Sequence, residues 1–592
     1  MSATSRPPTP ALDRSALSPQ QRDEALRAMR ATATGEELDI LVVGGGVVGA
    51  GAALDAVSRG LSVGLVEARD WASGTSSRSS KLIHGGLRYL EQFEWHLVTE
   101  ALTERGLMLE RLCPHLVRPV RFLYPLEHRG WERPYVGAGL VLYDTLGLRR
   151  GWGRGLPTHR HLGRKGVARL CPALRPDAHV GGVSYWDAQV DDARHTMTIV
   201  RSAVGFGALA ANRAQVVGLT RQGERVTGAS VCDLGTGARF EVRARRVVNA
   251  TGVWTDDTQG LATDRGQVKV RASKGVHLVV PRDRIRSDIG LILRTEKSVL
   301  FVIPWGRHWL IGTTDTDWDL DRAHPAASAA DIDYLLDHLN AVLRTPLTRD
   351  DIEGVYAGLR PLLAGESDAT SKLSREHTVA TPVPGLVVVA GGKYTTYRVM
   401  GKDAIDAAVH GLGAVPASCT ERIPLVGAEG WPAVRNASKR LATRSGLGSE
   451  RIEHLLGRYG SLVGQVLDLV AADRSLAEPL PGQGADEYIA AEVVYAVLAE
   501  GALHVEDVLA RRTRISFEAF DRGVAAAEPV AALMAELLGW DDARRAREVT
   551  QYRARVEAER ESQLAPDDRS ADATRLGAPD VAPTVPLDAA AS

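Results

Sequence analysis

From residue 38 to the neighbourhood of Pro424, short apolar runs of strand length alternate with glycine-rich turns, whereas beyond Pro424 apolar residues recur at i, i+3 and i+4. Leu38–Val43 (LDILVV) is a near-continuous apolar run, as expected of a strand covered on both faces. It leads straight into GGGVVG. The following stretch, VVGAGAALDAVSRG, has helical length and ends on Gly60, a residue suited to a left-handed helix cap. LSVGLVE is then a second apolar run, ending on Glu67. Strand, helix and strand in this order predict a βαβ unit. Residues 452–459, 490–503 and 505–514 carry helical spacing and predict a helical C-terminal domain over 421–555. Residues 1–35 and 563–592 are rich in Ala, Pro, Ser, Thr and Asp, with too few large apolar residues to offset the entropy of ordering. Both are expected to be disordered tails, apart from a short helix near 18–31.

Composition narrows the class. A chain of 592 residues is too long for one hydrophobic core, so roughly two to four domains are expected. Lys plus Arg number 72 against 73 Asp plus Glu, a net charge of −1, which removes any whole-molecule field for nucleic acid. The four cysteines lie tens of residues apart, with no CxxC pair, zinc spacing or disulfide framework. No metal is expected, and a reducing, cytoplasmic location is. No apolar run reaches membrane-spanning length and no signal-peptide core precedes the first strand, so any membrane contact is expected to be peripheral.

Gly44, Gly46 and Gly49 match GxGxxG. The first permits the tight turn, the second lets backbone N–H groups reach a pyrophosphate at the helix N-terminus, and the third permits close helix–strand packing. Glu67, 21 residues after Gly46, can accept hydrogen bonds from ribose hydroxyls. NAD and FAD share this adenosine half, so the fingerprint leaves both open.

Further strings distinguish them: GTSSRSSKLIHGGLRYLE (74–91), YWDAQVDDAR (185–194), VVNATGVW (247–254), KGVHLVVPR (274–282), VIPWGRHWLIGTTD (302–315), GLRPL (358–362) and GGKYTTYR (391–398). On these strings the chain resembles the FAD-dependent, quinone-linked glycerol-3-phosphate dehydrogenase family, over about residues 38–555. The resemblance implies an α/β fold: an FAD-binding Rossmann-like domain of the D-amino-acid-oxidase-like flavoprotein type, a substrate (cap) domain built on an antiparallel sheet, and the helical C-terminal domain. It places the oxidoreductase region at 36–415, with FAD-binding segments near 36–110, 190–260 and 355–410 and substrate segments near 111–189 and 261–354.

The same resemblance implies a site. Thr75, Ser76, Ser80, Lys81 and Leu82 lie along the cofactor, His84 fixes their loop, and Val216 sits beside adenine. Thr251 and Gly252 bring a strand end close to it. Gly391, Gly392, Thr395 and Thr396 open a helix facing the N1/O2 edge of the flavin. Arg88, Arg360 and Arg375 match the arginines used around the substrate, where a planar, permanently charged fork suits phosphate. His277 is the implied base, taking the hydroxyl proton near neutral pH, with His84 as its competitor. Lys274 and Lys393 are candidate electrostatic partners. Surface ion pairing is the competing account of each arginine, and a packed strand position that of His277.

The implied reaction converts sn-glycerol 3-phosphate to dihydroxyacetone phosphate, with a membrane quinone accepting the electrons and a homodimer left open as the assembly. A stretch for lying on the inner face of the cell membrane is 136–148, mostly apolar and followed by Arg149, Arg150, Trp152, Arg154, Arg160, Arg164 and Lys165. A solvated basic face is the alternative. The rival functions are a glycerol-3-phosphate oxidase making peroxide, an amine or amino-acid oxidase of the same superfamily, and a flavin-binding protein without turnover.

Overall fold

The computed structural model describes residues 13–86, 94–148, 156–263, 266–295, 299–364 and 376–587. Its strands, in chain order, are β1 Leu38–Val43, β2 Val63–Val66, β3 Leu82–Ile83, β4 Arg118–Leu126, β5 Arg160–Leu162, β6 Gly181–Gln189, β7 Leu209–Ala211, β8 Ala214–Gln222 and β9 Arg225–Asp233. They continue as β10 Arg239–Asn249, β11 Val270–Pro281, β12 Gly290–Arg294, β13 Val299–Trp305, β14 His308–Gly312, β15 Thr316–Trp318, β16 Gly354–Leu363, β17 His377–Val383 and β18 Leu386–Gly391.

Two sheets organise them. The first has the order β17-β18-β10-β1-β2-β7, with β8 and β9 continuing from β10. β1 pairs in parallel with β2 on one side and β10 on the other, which explains its apolar run from Ile40 to Val43. Its side chains alternate between faces: Ile40 and Val42 enter the core under the helix Val47–Ser58, while Leu41 and Val43 enter the core on the opposite face.

The second sheet has the order β15-β11-β14-β13-β12-β4-β6-β3, with β16 on β11 and β5 on β6. It is antiparallel except for the β12–β4 pair. β16 runs along β11 for ten residue pairs, so residues 354–363 belong to the substrate sheet although the segment 355–410 was expected with the flavin domain. β3, within the expected flavin segment 36–110, also pairs into this sheet. The chain thus passes between the two sheets where the cofactor loop lies.

The helical domain docks on the flavin sheet through buried ion pairs. Asp70 is held between Arg511 and Arg512, Arg194 meets Glu500 at 2.7 Å, and Arg514 meets both Asp191 and Asp192. The neighbouring guanidinium groups hold the Asp70 and Asp191 carboxyls far below the usual carboxylate range despite burial.

The short helix expected near 18–31 is present and packs on the body, and the tail expected at 563–592 is corrected in its described part. The helix Pro19–Ala31, closed by a Ser18–Gln21 capping box, buries Ala25, Leu26 and Met29. At the other end the helix Asp568–Leu576 is followed by a segment packed on the body as far as Leu587. Counting large apolar residues underrated these segments because polar contacts anchor them: Asp568 reaches buried Lys274 at 2.5 Å, and Asp580 reaches His324 at 2.6 Å.

Candidate active site

The carboxyl ends of β1, β2, β10 and β18 open on one cavity of about 670 Å3, the crevice where parallel α/β sheets bind ligands. At one end, Gly44, Gly46 and the first turn of the helix Val47–Ser58 form its wall. Gly44 has φ +110°, and a Cβ there would lie 2.7 Å from the Ala250 carbonyl oxygen, so this turn closes on backbone alone. Ser76 Oγ accepts from the Val47 N–H at 2.9 Å, tying the loop to the helix N-terminus. Glu67 accepts from the backbone N–H groups of Gly45 and Arg69, each at 2.7 Å, which fixes its carboxylate at the cavity edge. Burial pushes its pKa up.

The far end is made of side chains. Arg360 on β16 and His277 on β11 both line it, with His84 and Lys393. Arg360 donates to Thr313 Oγ1 at 3.0 Å and the Thr314 carbonyl at 3.2 Å, and Asp315 lies 3.4 Å from Nη1, so its fork is held in place. His277 lies under the Tyr356 ring, stacked at 4.8 Å, and its Nε2 is 2.9 Å from Ser80 Oγ. Room for the imidazole comes from Gly312 on the paired strand, where a Cβ would lie 2.4 Å from the ring. Burial, followed by the charges of Lys81 and Arg360, holds the His277 pKa well below its ordinary value. A lowered pKa favours the unprotonated form, the one that a base acting near neutral pH requires.

Of the expected cofactor residues, Gly44, Gly46, Glu67, Thr75, Ser76, Ser80, Leu82, His84, Val216, Thr251, Gly252, Gly391 and Gly392 line the cavity. Four do not. Gly49 lies beneath the wall, packed against Gly44. Lys81 is fully buried and turned to Asp192 at 3.0 Å: its backbone is left-handed, φ +58°, just before β3, so its side chain departs from those of Ser79, Ser80 and Leu82, which line the cavity. Thr395 Oγ1 accepts from the His84 N–H at 3.2 Å, and Thr396 Oγ1 donates to the Lys393 carbonyl, so both brace the wall from behind. Lys274 is paired with Asp331 and Asp568, outside the cavity. Arg88 and Arg375 lie outside the described residues. Arg78, Gln215, Thr313, Asp315 and Tyr394 also line the cavity and were not singled out beforehand. Four of these five sit inside strings already quoted, but the nearness of Asp315 to Arg360, 45 residues apart, arises only in the fold.

Comparison with known proteins agrees with this geometry. Residues 39–406 match the model of the FAD-dependent oxidoreductases, and residues 418–545 match that of the C-terminal domain of alpha-glycerophosphate oxidase. The chain is 58% identical to "Glycerol-3-phosphate dehydrogenase 2" of Mycobacterium tuberculosis over 578 residues, covering 97% of each. The chain belongs to the FAD-dependent glycerol-3-phosphate dehydrogenase family. Human mitochondrial glycerol-3-phosphate dehydrogenase is 36% identical over 547 residues, 88% of this chain and 73% of that one. Among solved structures, the glycerol-3-phosphate dehydrogenase of Bacillus halodurans complexed with FAD has a TM-score of 0.74 at 30% identity, covering 93% of this chain and 99% of that one.

Membership in this family makes FAD the cofactor and the protein an oxidoreductase. The cavity suits that group: a glycine turn a Cβ would fill, helix N–H groups for a pyrophosphate, and a carboxylate at the ribose position. The expected fold class holds, with mixed rather than purely antiparallel pairing in the second sheet.

Proposed function

We propose that this protein oxidises sn-glycerol 3-phosphate to dihydroxyacetone phosphate, with a membrane quinone as the electron acceptor. The observation that supports it best is the pairing of a caged guanidinium with a buried imidazole held by Ser80 at one end of the cavity. The names of the relatives point to the same substrate. In this reading Arg360 anchors the phosphate, and Arg88 and Arg375 share that task by resemblance. FAD, when bound, supplies the hydride acceptor. His277 takes the proton of the C2 hydroxyl, held in orientation by Ser80 and the Tyr356 ring. A phosphate dianion beside Arg360 offsets part of the positive field that keeps His277 unprotonated, so substrate binding makes the base stronger.

A quinone acceptor places the protein on a bilayer surface. No described helix is long and apolar enough to cross a membrane. The helix Glu132–Leu148 and the residue before it instead expose Trp131, Tyr135 and Val141, each by about half or more. Exposed aromatics on a largely apolar helix suit an interfacial position, and Arg160 and Arg164 are exposed nearby in the chain. We assign this face to the inner surface of the cell membrane.

The test is an anaerobic titration of the purified holoenzyme with glycerol 3-phosphate, glycerol and a panel of amino acids. Bleaching of the flavin by glycerol 3-phosphate alone is expected. Bleaching by an amino acid would overturn the substrate, and stoichiometric peroxide in air would replace the quinone with oxygen.

A further inference from the structure

The last described residues close the cavity. Thr584, Val585, Pro586 and Leu587 form part of its wall beside Gln215 and Val216. Val585 donates its N–H to Gln215 Oε1 at 2.8 Å, and Gln215 Nε2 donates to the Val585 carbonyl at 2.8 Å. The side-chain amide thereby acts as a peptide group and adds one rung between β8 and the C-terminal segment. Upstream, Asp580 lies 2.6 Å from His324 and 3.4 Å from Arg69, and Arg213 donates to the Ala582 carbonyl. Arg69 and Gln215 themselves line the cavity, next to Glu67.

The segment also has firm moorings. Ala571 is fully buried in one cluster with Val253 and Leu359, and the Ala329 N–H donates to the Ala565 carbonyl at 2.8 Å. It therefore leaves the helical domain, crosses the substrate sheet and ends on the flavin sheet. A cavity of about 670 Å3 remains with this segment in place, and Gly44, Gly46, Glu67 and Val216 face it. The segment is a wall of the site and does not fill it.

We propose that residues 578–587 are a clasp that completes the adenosine end of the FAD site and sets how slowly the cofactor leaves. The proposal rests on the reading that Glu67 and Val216 mark the adenosine end. It assigns to the extreme C-terminus a binding role, with Gln215 as its receptor and the adenosine half of a dinucleotide as its ligand.

The test uses the full-length holoenzyme with Val585→Pro, which removes the N–H that Gln215 accepts, combined with Asp580→Asn. Free-flavin fluorescence after dilution reports FAD release. Loss of one rung and one charge pair is expected to accelerate release by about tenfold or more. Linkage demands the reciprocal effect in the unaltered protein: hydrogen exchange across 578–587 should be slower with FAD bound than after its removal. Unchanged or slower release from the folded variant would overturn the clasp, slower release marking the segment as an obstruction. If the variant does not fold, equal exchange in the two states of the unaltered protein overturns it by itself. Glu67→Gln separates the two layers of the argument. Weaker FAD binding there, with a neutral clasp variant, removes the clasp alone, whereas undiminished FAD binding removes the adenosine assignment and the clasp with it.

Discussion

The two ends of the cavity are built on different principles. The end marked by Gly44 and Glu67 is built mainly on backbone: a glycine turn, helix N–H groups and a carboxylate held by two peptide N–H groups come from one continuous stretch of about thirty residues, with Gln215 and the C-terminal segment beside them. The other end consists of side chains: His277 from β11 and Arg360 from β16, adjacent only because the second sheet pairs those strands, with Thr313 and Asp315 just beyond β14. The first kind of site tolerates no added atoms. The second is graded, because each side chain contributes its own increment.

Substitutions should expose this contrast. The largest effect is expected at Gly49, where any Cβ would lie 1.9 Å from the Gly44 carbonyl oxygen. Gly49→Val should leave no FAD-loaded protein, since backbone offers no flexible end to move and the overlap exceeds the ~1–3 kcal/mol typical of an extra core methylene. Flavin absorbance per mole of purified chain measures it, and normal loading would show that this end is less rigid than described.

Next comes His277→Gln. Loss of a general base should slow anaerobic flavin reduction by about 10²–10⁴-fold while FAD stays bound and quinone-analogue reoxidation is unchanged. Stopped-flow spectra separate the half-reactions, and normal reduction with poorer folding would make His277 a packing residue. Arg360→Ala should cost about 2–4 kcal/mol in kcat/KM, expressed mainly in KM, with an intact flavin spectrum. Arg360→Lys should recover little of it, because Thr313, the Thr314 carbonyl and Asp315 are placed for a fork and not for a point charge.

The smallest effect is one of pH. His277 is buried with a lowered pKa, so protonation, which disables the base, occurs well below its ordinary range in the free enzyme. The acid limb of kcat/KM assigned to His277 should therefore fall below pH ~6.5. Because bound phosphate offsets the Arg360 charge, the acid limb of kcat should lie at higher pH than that of kcat/KM. Coincident limbs would place the phosphate away from Arg360.

The same contrast explains what could be read in advance. The βαβ unit, its glycines and Glu67 follow from local chemistry and period, and so were legible. His277 and Arg360 became legible through the strings around them; nothing in the spacing of 277 and 360 along the chain says that β11 and β16 pair. Lys81 was misplaced because the string was read as a unit, whereas a left-handed backbone at that one position turns its side chain to Asp192 while Ser79, Ser80 and Leu82 face the cavity. Gln215 and the clasp were missed because composition treats a polar terminus as free, while its anchors lie in three distant segments.

The buried Asp70 has a consequence in time. Its carboxylate is neutralised by Arg511 and Arg512, 441 and 442 residues further along the chain. Leaving that charge buried and unpaired is strongly unfavourable, so Asp70 reaches its final environment only once those arginines are in place. At about 5–20 residues per second, a ribosome needs on the order of 20–90 seconds to make them. In the growing chain the glycine turn of the dinucleotide site therefore exists well before the two guanidinium groups that neutralise the acid beside it.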